Sequence, residues 1–181
     1  MTLIPLTVGG SAPVLGTFSK GCAGSVALNF APSGGVNCDR ACPYHPATTS
    51  PAAASEPDPP VCYAVTCEGR YSNTLAPKLE RHAAAGAAAV VAAADRECAE
   101  RRYRLPWFRF SAFGSVPAAV PDGFRRLVAR LAAAGTPIHL PIESARKANR
   151  YRRALEGLGG AVRGSVTGLR RWRSAPAACS I

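Results

Sequence analysis

The sequence predicts an α/β fold, a partial (β/α) barrel or open parallel sheet, with a loop-rich, cysteine-containing N-terminal part. Three observations carry this. Apolar runs of strand length alternate with amphipathic stretches of helix length through the second half of the chain. Hydrophobic residues make up 48% of 181 residues, enough for one core. Cys22, Cys38, Cys42, Cys62 and Cys67 crowd the N-terminal third among Pro and Gly, where no periodicity is visible. The organisation that follows is a cysteine-rich part over 1–75, βα units over 76–168 and a basic tail over 169–181, with the first two in one domain.

The elements can be justified in order. Ser25–Phe30 alternates as a strand does, and Ala31-Pro-Ser-Gly-Gly35 is a turn cluster that ends it. Ala47–Pro60 is low-complexity and reads as a flexible loop between two cysteine pairs. Pro77 suits a first helical position, and the Ala-rich run after it favours helix to about Arg104, weakened at Gly86. Trp107–Ser111 is a short aromatic strand. Asp122–Ala134 places Phe124, Leu127, Val128 and Leu131 on one helix face, with Gly135 as its C-cap. Pro137–Ile142 is the next strand, Ser144 caps a helix to about Leu158, and Ala161–Thr167 is the last strand. Strands separated by single helices pair in parallel.

Charge is divided unevenly. The net charge is +11, yet residues 1–75 hold three basic and four acidic side chains, a balance of −1. The other 19 basic and 7 acidic residues give +12. Such a half can attract nucleic acid or another polyanion, and an arginine-rich solvated helix surface explains it equally well. Arg146, Arg150 and Arg153 share one helix face and are the candidate phosphate contacts, with Tyr151 and Trp172 available to stack on bases. The longest small-apolar run has about a dozen residues against the roughly twenty a bilayer span needs, so no membrane partner is expected. The N-terminus lacks a basic region followed by a long apolar run, and the expected compartment is the cytoplasm.

The cysteines are the strongest chemical signal. Their number, seven, is odd, which argues against a complete disulfide framework. Cys38 and Cys42 form a C-x3-C pair, and Cys62 and Cys67 a C-x4-C pair. Four thiolates close a tetrahedral zinc site; three leave one iron of a [4Fe–4S] cluster open to a ligand. His45 is a possible substitute ligand, and buried unrelated thiols are the plainer alternative.

A second set lies beyond the strand ends, where parallel α/β folds bind ligands. Glu143 and Ser111 are the candidates for catalysis, and Ser115, Ser144 and Ser165 for holding a cofactor. Glu143 could orient a substrate amine or ribose or act as a base. It could equally sit beside the positive end of the helix that Ser144 caps. His82 reads as a surface residue and His139 as half-buried within its strand. No Ser-His-Asp order, Walker loop, GxGxxG or HExxH motif occurs.

Cys62-Tyr63-Ala64 after spaced cysteines, Trp107-Phe-Arg-Phe-Ser-Ala-Phe-Gly114, and Pro141-Ile-Glu-Ser-Ala-Arg-Lys147 stand in order along residues 20–167. In this they resemble phage- and plasmid-borne proteins of the gene-product-88-like type, distant relatives of radical-S-adenosylmethionine half-barrels. The resemblance implies a phage or mobile-element protein in which Cys38, Cys42 and Cys62 bind a [4Fe–4S] cluster. S-adenosylmethionine would then sit on the open iron. The chain departs from the usual compact C-x3-C-x2-C by the nineteen residues between Cys42 and Cys62, and it has too few βα units for a six-unit barrel. The other function class open to this sequence is a nucleic-acid-binding or host-interaction accessory protein whose metal site is structural.

Overall fold

The computed structural model describes residues 14–17, 24–35, 37–38, 62, 64–65, 73–101, 104–142, 144–158 and, by their backbone, 162–166. Cys22, Cys42, His45, Cys67, Glu143, the Ala47–Pro60 loop and the basic tail with Trp172 lie outside the described residues. The elements are β1 (Leu15–Thr17), β2 (Val26–Leu28), α1 (Leu75–Ala85), α2 (Ala87–Glu100), β3 (Phe108–Phe110), α3 (Phe124–Ala133), β4 (Ile138–Ile142), α4 (Ala145–Ala154) and β5 (Val162–Val166).

The five strands form one sheet in the order β1-β2-β3-β4-β5. β1 runs antiparallel to β2, and every other neighbouring pair is parallel. From β2 to β5 each crossover moves one strand onward in the same direction. Right-handed crossovers that never reverse stack their helices on one face, as along one side of a βα barrel. A doubly wound sheet reverses at a switch point instead. The sheet is open, as the alternation of strand and helix lengths led us to expect.

Side-chain alternation fixes which face is covered. Val26, Leu28, Phe108, Phe110, Ile138, Leu140 and Ile142 are buried in one core with Val90, Val91 and Ala94 of α2, Phe124, Leu127 and Val128 of α3, and Tyr151 of α4. Few aromatics are available, and they are concentrated here. The Phe110 ring lies 4.8 Å from both Phe108 and Phe124, and Phe124 meets Tyr151 edge-on at 5.1 Å. Rings so spaced add to the gain from area burial, and they lock β3, α3 and α4 together.

Three sequence expectations are corrected. The long helix is broken in two at Gly86, whose φ of 81° and ψ of 153° only glycine adopts readily. Its second half ends at Glu100 rather than near Arg104. His82 is not a surface residue: it is buried, with Nδ1 2.6 Å from the Asn29 carbonyl oxygen. A carbonyl only accepts, so Nδ1 carries the proton. Burial pushes the His82 pKa down, and the Asn29 bond offsets this only in part.

Other expectations hold. α3 ends in a Schellman arrangement, with Gly135 at φ 67° and Thr136 N–H donating to the Leu131 oxygen at 2.9 Å. Ser144 caps α4 by accepting from Lys147 N–H at 3.3 Å. β1 had no sequence signal. It is held from the helices: Glu97 accepts from the Val14 and Leu15 amides, and Lys78 Nζ donates to the Leu15 oxygen at 3.0 Å. Asp95 ties α2 to α3 by accepting from Arg126 and Arg130 at 2.8 and 2.7 Å.

Candidate metal centre

The C-terminal ends of β2, β3 and β4 gather residues 29–38, 111–118 and 144–147 into one region. Cys38 is at its centre. The loop after β2 folds by two successive turns, with Gly35 N–H donating to the Pro32 oxygen at 3.1 Å and Cys38 N–H to the Gly35 oxygen at 3.0 Å. Gly34, at φ 74°, then turns its N–H back onto the Cys38 sulfur at 3.1 Å. The Ser115 hydroxyl approaches the same sulfur from the β3 side at 3.4 Å. Two donors aimed at one sulfur are the kind of outer contact that orients a metal-ligating cysteine.

The neighbouring loops are packed closely. Asn29 accepts from Phe113 N–H through Oδ1 at 3.0 Å. A Cβ on Gly114 would stand 2.5 Å from the Ala31 oxygen, so only glycine allows the β2 and β3 loops to approach this far. Ser111, at the end of β3, is the single non-glycine residue with positive φ among the described residues, at 48°. Its side chain is buried, and its hydroxyl has no hydrogen-bond partner. A strained residue with an unsatisfied buried hydroxyl is unusual in a native fold and concentrates at functional sites.

α4 braces this region from below. Lys147 Nζ donates to the Asn37 oxygen at 2.7 Å and to the Val116 oxygen at 3.0 Å. Tyr151 hydroxyl donates to the Pro117 oxygen at 3.2 Å, and Arg150 to the Ala118 oxygen at 2.8 Å. Three side chains of one helix thus satisfy three consecutive carbonyls of the 115–118 segment. The buried lysine also reaches the residue just before Cys38.

The residues named from sequence divide as follows. Cys38, Ser111, Ser115 and Ser144 all lie at or just beyond strand ends, and Cys38 and Ser115 are in contact. Cys62 is half-buried, as is Cys38. Ser165 is described by its backbone, in register with Pro141. Arg146, Arg150 and Arg153 are exposed on α4, with Arg150 engaged to the Ala118 oxygen. Tyr151 is fully buried and so is not a surface for stacking bases. Lys147, next to Arg146, is buried too. Lys147 and Tyr151 are four residues apart on the face that also carries Ala148, and that spacing was a signal for burial. Asn29 and Gly34 had no such signal, because their roles depend on loop geometry.

Of the described cysteines, Cys38 is the one whose sulfur accepts from two donors, Gly34 N–H and Ser115 Oγ. Among the described residues, no group of three or more His, Cys, Asp or Glu side chains converges, and Cys42 and Cys67 lie beyond those residues. No helix among the described residues is long and apolar enough to cross a membrane. Comparison with family models, with curated proteins and with solved structures gives no match.

Proposed function

We propose that this chain holds a thiolate-ligated metal centre, a [4Fe–4S] cluster in preference to zinc, at the C-terminal mouth of its parallel sheet. Cys38, Cys42 and Cys62 are its ligands and Cys67 the candidate fourth. The observation that carries the reading is the Cys38 sulfur, which accepts from Gly34 N–H and Ser115 Oγ on a loop braced by Lys147. Hydrogen bonds to cysteine sulfur are a principal means by which proteins tune clusters.

The preference for a cluster follows from the position and from the resemblance to gene-product-88-like proteins. A cluster with three protein ligands supplies an open iron, on which S-adenosylmethionine could bind. Ser115, Ser144 and Ser165 would orient that ligand, and Glu143 and Ser111 are the catalytic candidates. Anaerobic reconstitution of the whole chain with iron and sulfide tests this. The expected product is brown, and its electron paramagnetic resonance spectrum changes when S-adenosylmethionine is added. A colourless protein with stoichiometric zinc would remove the cluster and keep the thiolate site.

A second reading rests on the exposed Arg146, Arg150 and Arg153: a mobile-element accessory protein that binds nucleic acid or a host protein, with the metal structural. It predicts DNA or RNA binding that weakens steeply with salt. Undetectable binding at low salt would remove it.

A further inference from the structure

α4 is basic along its length, and neither it nor α3 contains an Asp or Glu. Its inner face buries Lys147, Ala148 and Tyr151, and its opposite face presents Arg146, Arg150 and Arg153 to solvent. At that spacing the three arginines form one row, about 10 Å long at the helical rise of about 1.5 Å per residue. Arg125 of α3 prolongs the row past the end of α4. Its Nη1 donates to the Ala154 and Glu156 oxygens at 2.7 and 2.8 Å. The guanidinium thus sits at the carbonyl end of α4 and offsets the partial negative charge there. Arg150 is anchored in the same way, its Nη1 donating to the Ala118 oxygen at 2.8 Å. Arg126 and Arg130 are engaged with Asp95 and do not join the row. The exposed carboxylates nearest in sequence, Asp122 and Glu156, precede α3 and follow α4.

We propose that this face binds the phosphate backbone of double-stranded nucleic acid without reading its sequence, a step that rests on the nucleic-acid reading of the same arginines. Guanidinium groups match phosphate oxygens with a rigid fork. Arg125 and Arg150 are already anchored to carbonyls, so less side-chain freedom is lost when a phosphate arrives. Charge density selects the duplex. It carries one negative charge per about 1.7 Å of axis and a single strand one per about 3.4 Å, so a duplex sets about twice as many phosphates beside the row. Single strands are gripped by stacking bases on aromatic rings, and Tyr151, the aromatic residue of α4, is fully buried. Contacts to phosphate fix position and carry no sequence information. The face needs no metal for this.

The test is fluorescence anisotropy of the full chain with labelled DNA duplexes of two unrelated sequences, a single strand of equal phosphate count, and polyglutamate of equal charge, each over a range of salt. Four arginine–phosphate contacts contribute about 3.6 to the magnitude of the slope of log affinity against log salt. Arg146→Gln/Arg153→Gln should remove about half of that contribution, and equally for both duplexes. Circular dichroism melts check the fold; if the double variant does not fold, Arg146→Gln alone, with the slope lower by about 0.9, decides. Undetectable duplex binding at low salt would remove the proposal together with the nucleic-acid reading. An unchanged slope in a folded glutamine variant would overturn the proposal and leave that reading to another surface. Tighter binding of the single strand, duplex affinities more than about tenfold apart, or polyglutamate bound as tightly as the duplex would each overturn it as well.

Discussion

Lys147 and Asn37 join the first turn of α4 to the residue that precedes Cys38: the Lys147 ammonium donates to the Asn37 carbonyl at 2.7 Å. The same ammonium takes the Val116 carbonyl, next to the serine that donates to the Cys38 sulfur. One buried cation therefore fixes both flanks of the thiol.

Lys147→Met should loosen that arrangement. It leaves the Asn37 and Val116 carbonyls without this donor, which costs about 1–3 kcal/mol of stability. Loss of an outer partner of a ligand typically costs about 10–100-fold in metal affinity. Denaturant melts and the rate of metal loss to a chelator measure the two effects. Unchanged metal retention in a folded Lys147→Met protein would count against the bracing role.

Gly114→Ala should destabilise by about 1–3 kcal/mol, through the positive φ and through the contact with the Ala31 oxygen. Gly86→Ala also meets an unfavourable backbone conformation, but nothing lies within 4 Å of its Cβ. Its cost should therefore be the backbone strain alone. Chemical denaturation of the two variants compares them, and an equal cost would mean the β2 and β3 loops yield easily.

Stability should fall in two steps as pH is lowered. His82 and His139 both have folded pKa values below the ordinary 6.5. The unfolded chain therefore takes up their protons first, so stability is full above about 6.5 and declines below it. Asp95 is the opposite kind of group. Burial pushes its carboxyl up, but hydrogen bonds from Arg130 and Arg126 outweigh this and bring it below the ordinary 3.8. Its contribution is present above that pH and is lost as pH falls through the folded value. Equilibrium unfolding of His82→Gln should show a flatter first step, and of Asp95→Asn a smaller second one. A first step unaltered in His82→Gln would separate it from the Asn29 contact.

Much of the fold was legible because its signals are local. The face shared by Phe124, Leu127, Val128 and Leu131 and the Gly135 cap define α3 from neighbouring residues alone. Ser144 defines the start of α4 in the same way. β1 was not legible, since Glu97 and Lys78 hold it from more than sixty residues away along the chain. His82 misled because its apolar surroundings come from tertiary packing, while its neighbours in sequence are alanines and charges. At the site, Ser111 and Ser115 were legible as residue types beyond strand ends, and Cys38 as a member of the spaced cysteine group. The sulfur's two donors and the bracing lysine were not, because loops from three strands have to meet before they exist.

Cys98 should behave unlike the thiols of the site. Burial pushes its pKa up to about 12. At neutral pH it then holds roughly a thousandfold less thiolate than an ordinary cysteine, and thiolate is the reactive form. Timed alkylation followed by peptide mass analysis should find Cys98 among the slowest to react. Rapid labelling of Cys98 in the folded protein would contradict its packing between α2 and the core.

The most direct test of the central claim is metal and sulfide analysis of the whole protein purified without oxygen, set beside the Cys38→Ser variant. The account predicts iron and acid-labile sulfide in near-equal amounts with broad visible absorption in the parent, and loss of both in a Cys38→Ser protein that still melts cooperatively. A parent free of iron and zinc, or a variant that keeps the full metal content, would contradict it.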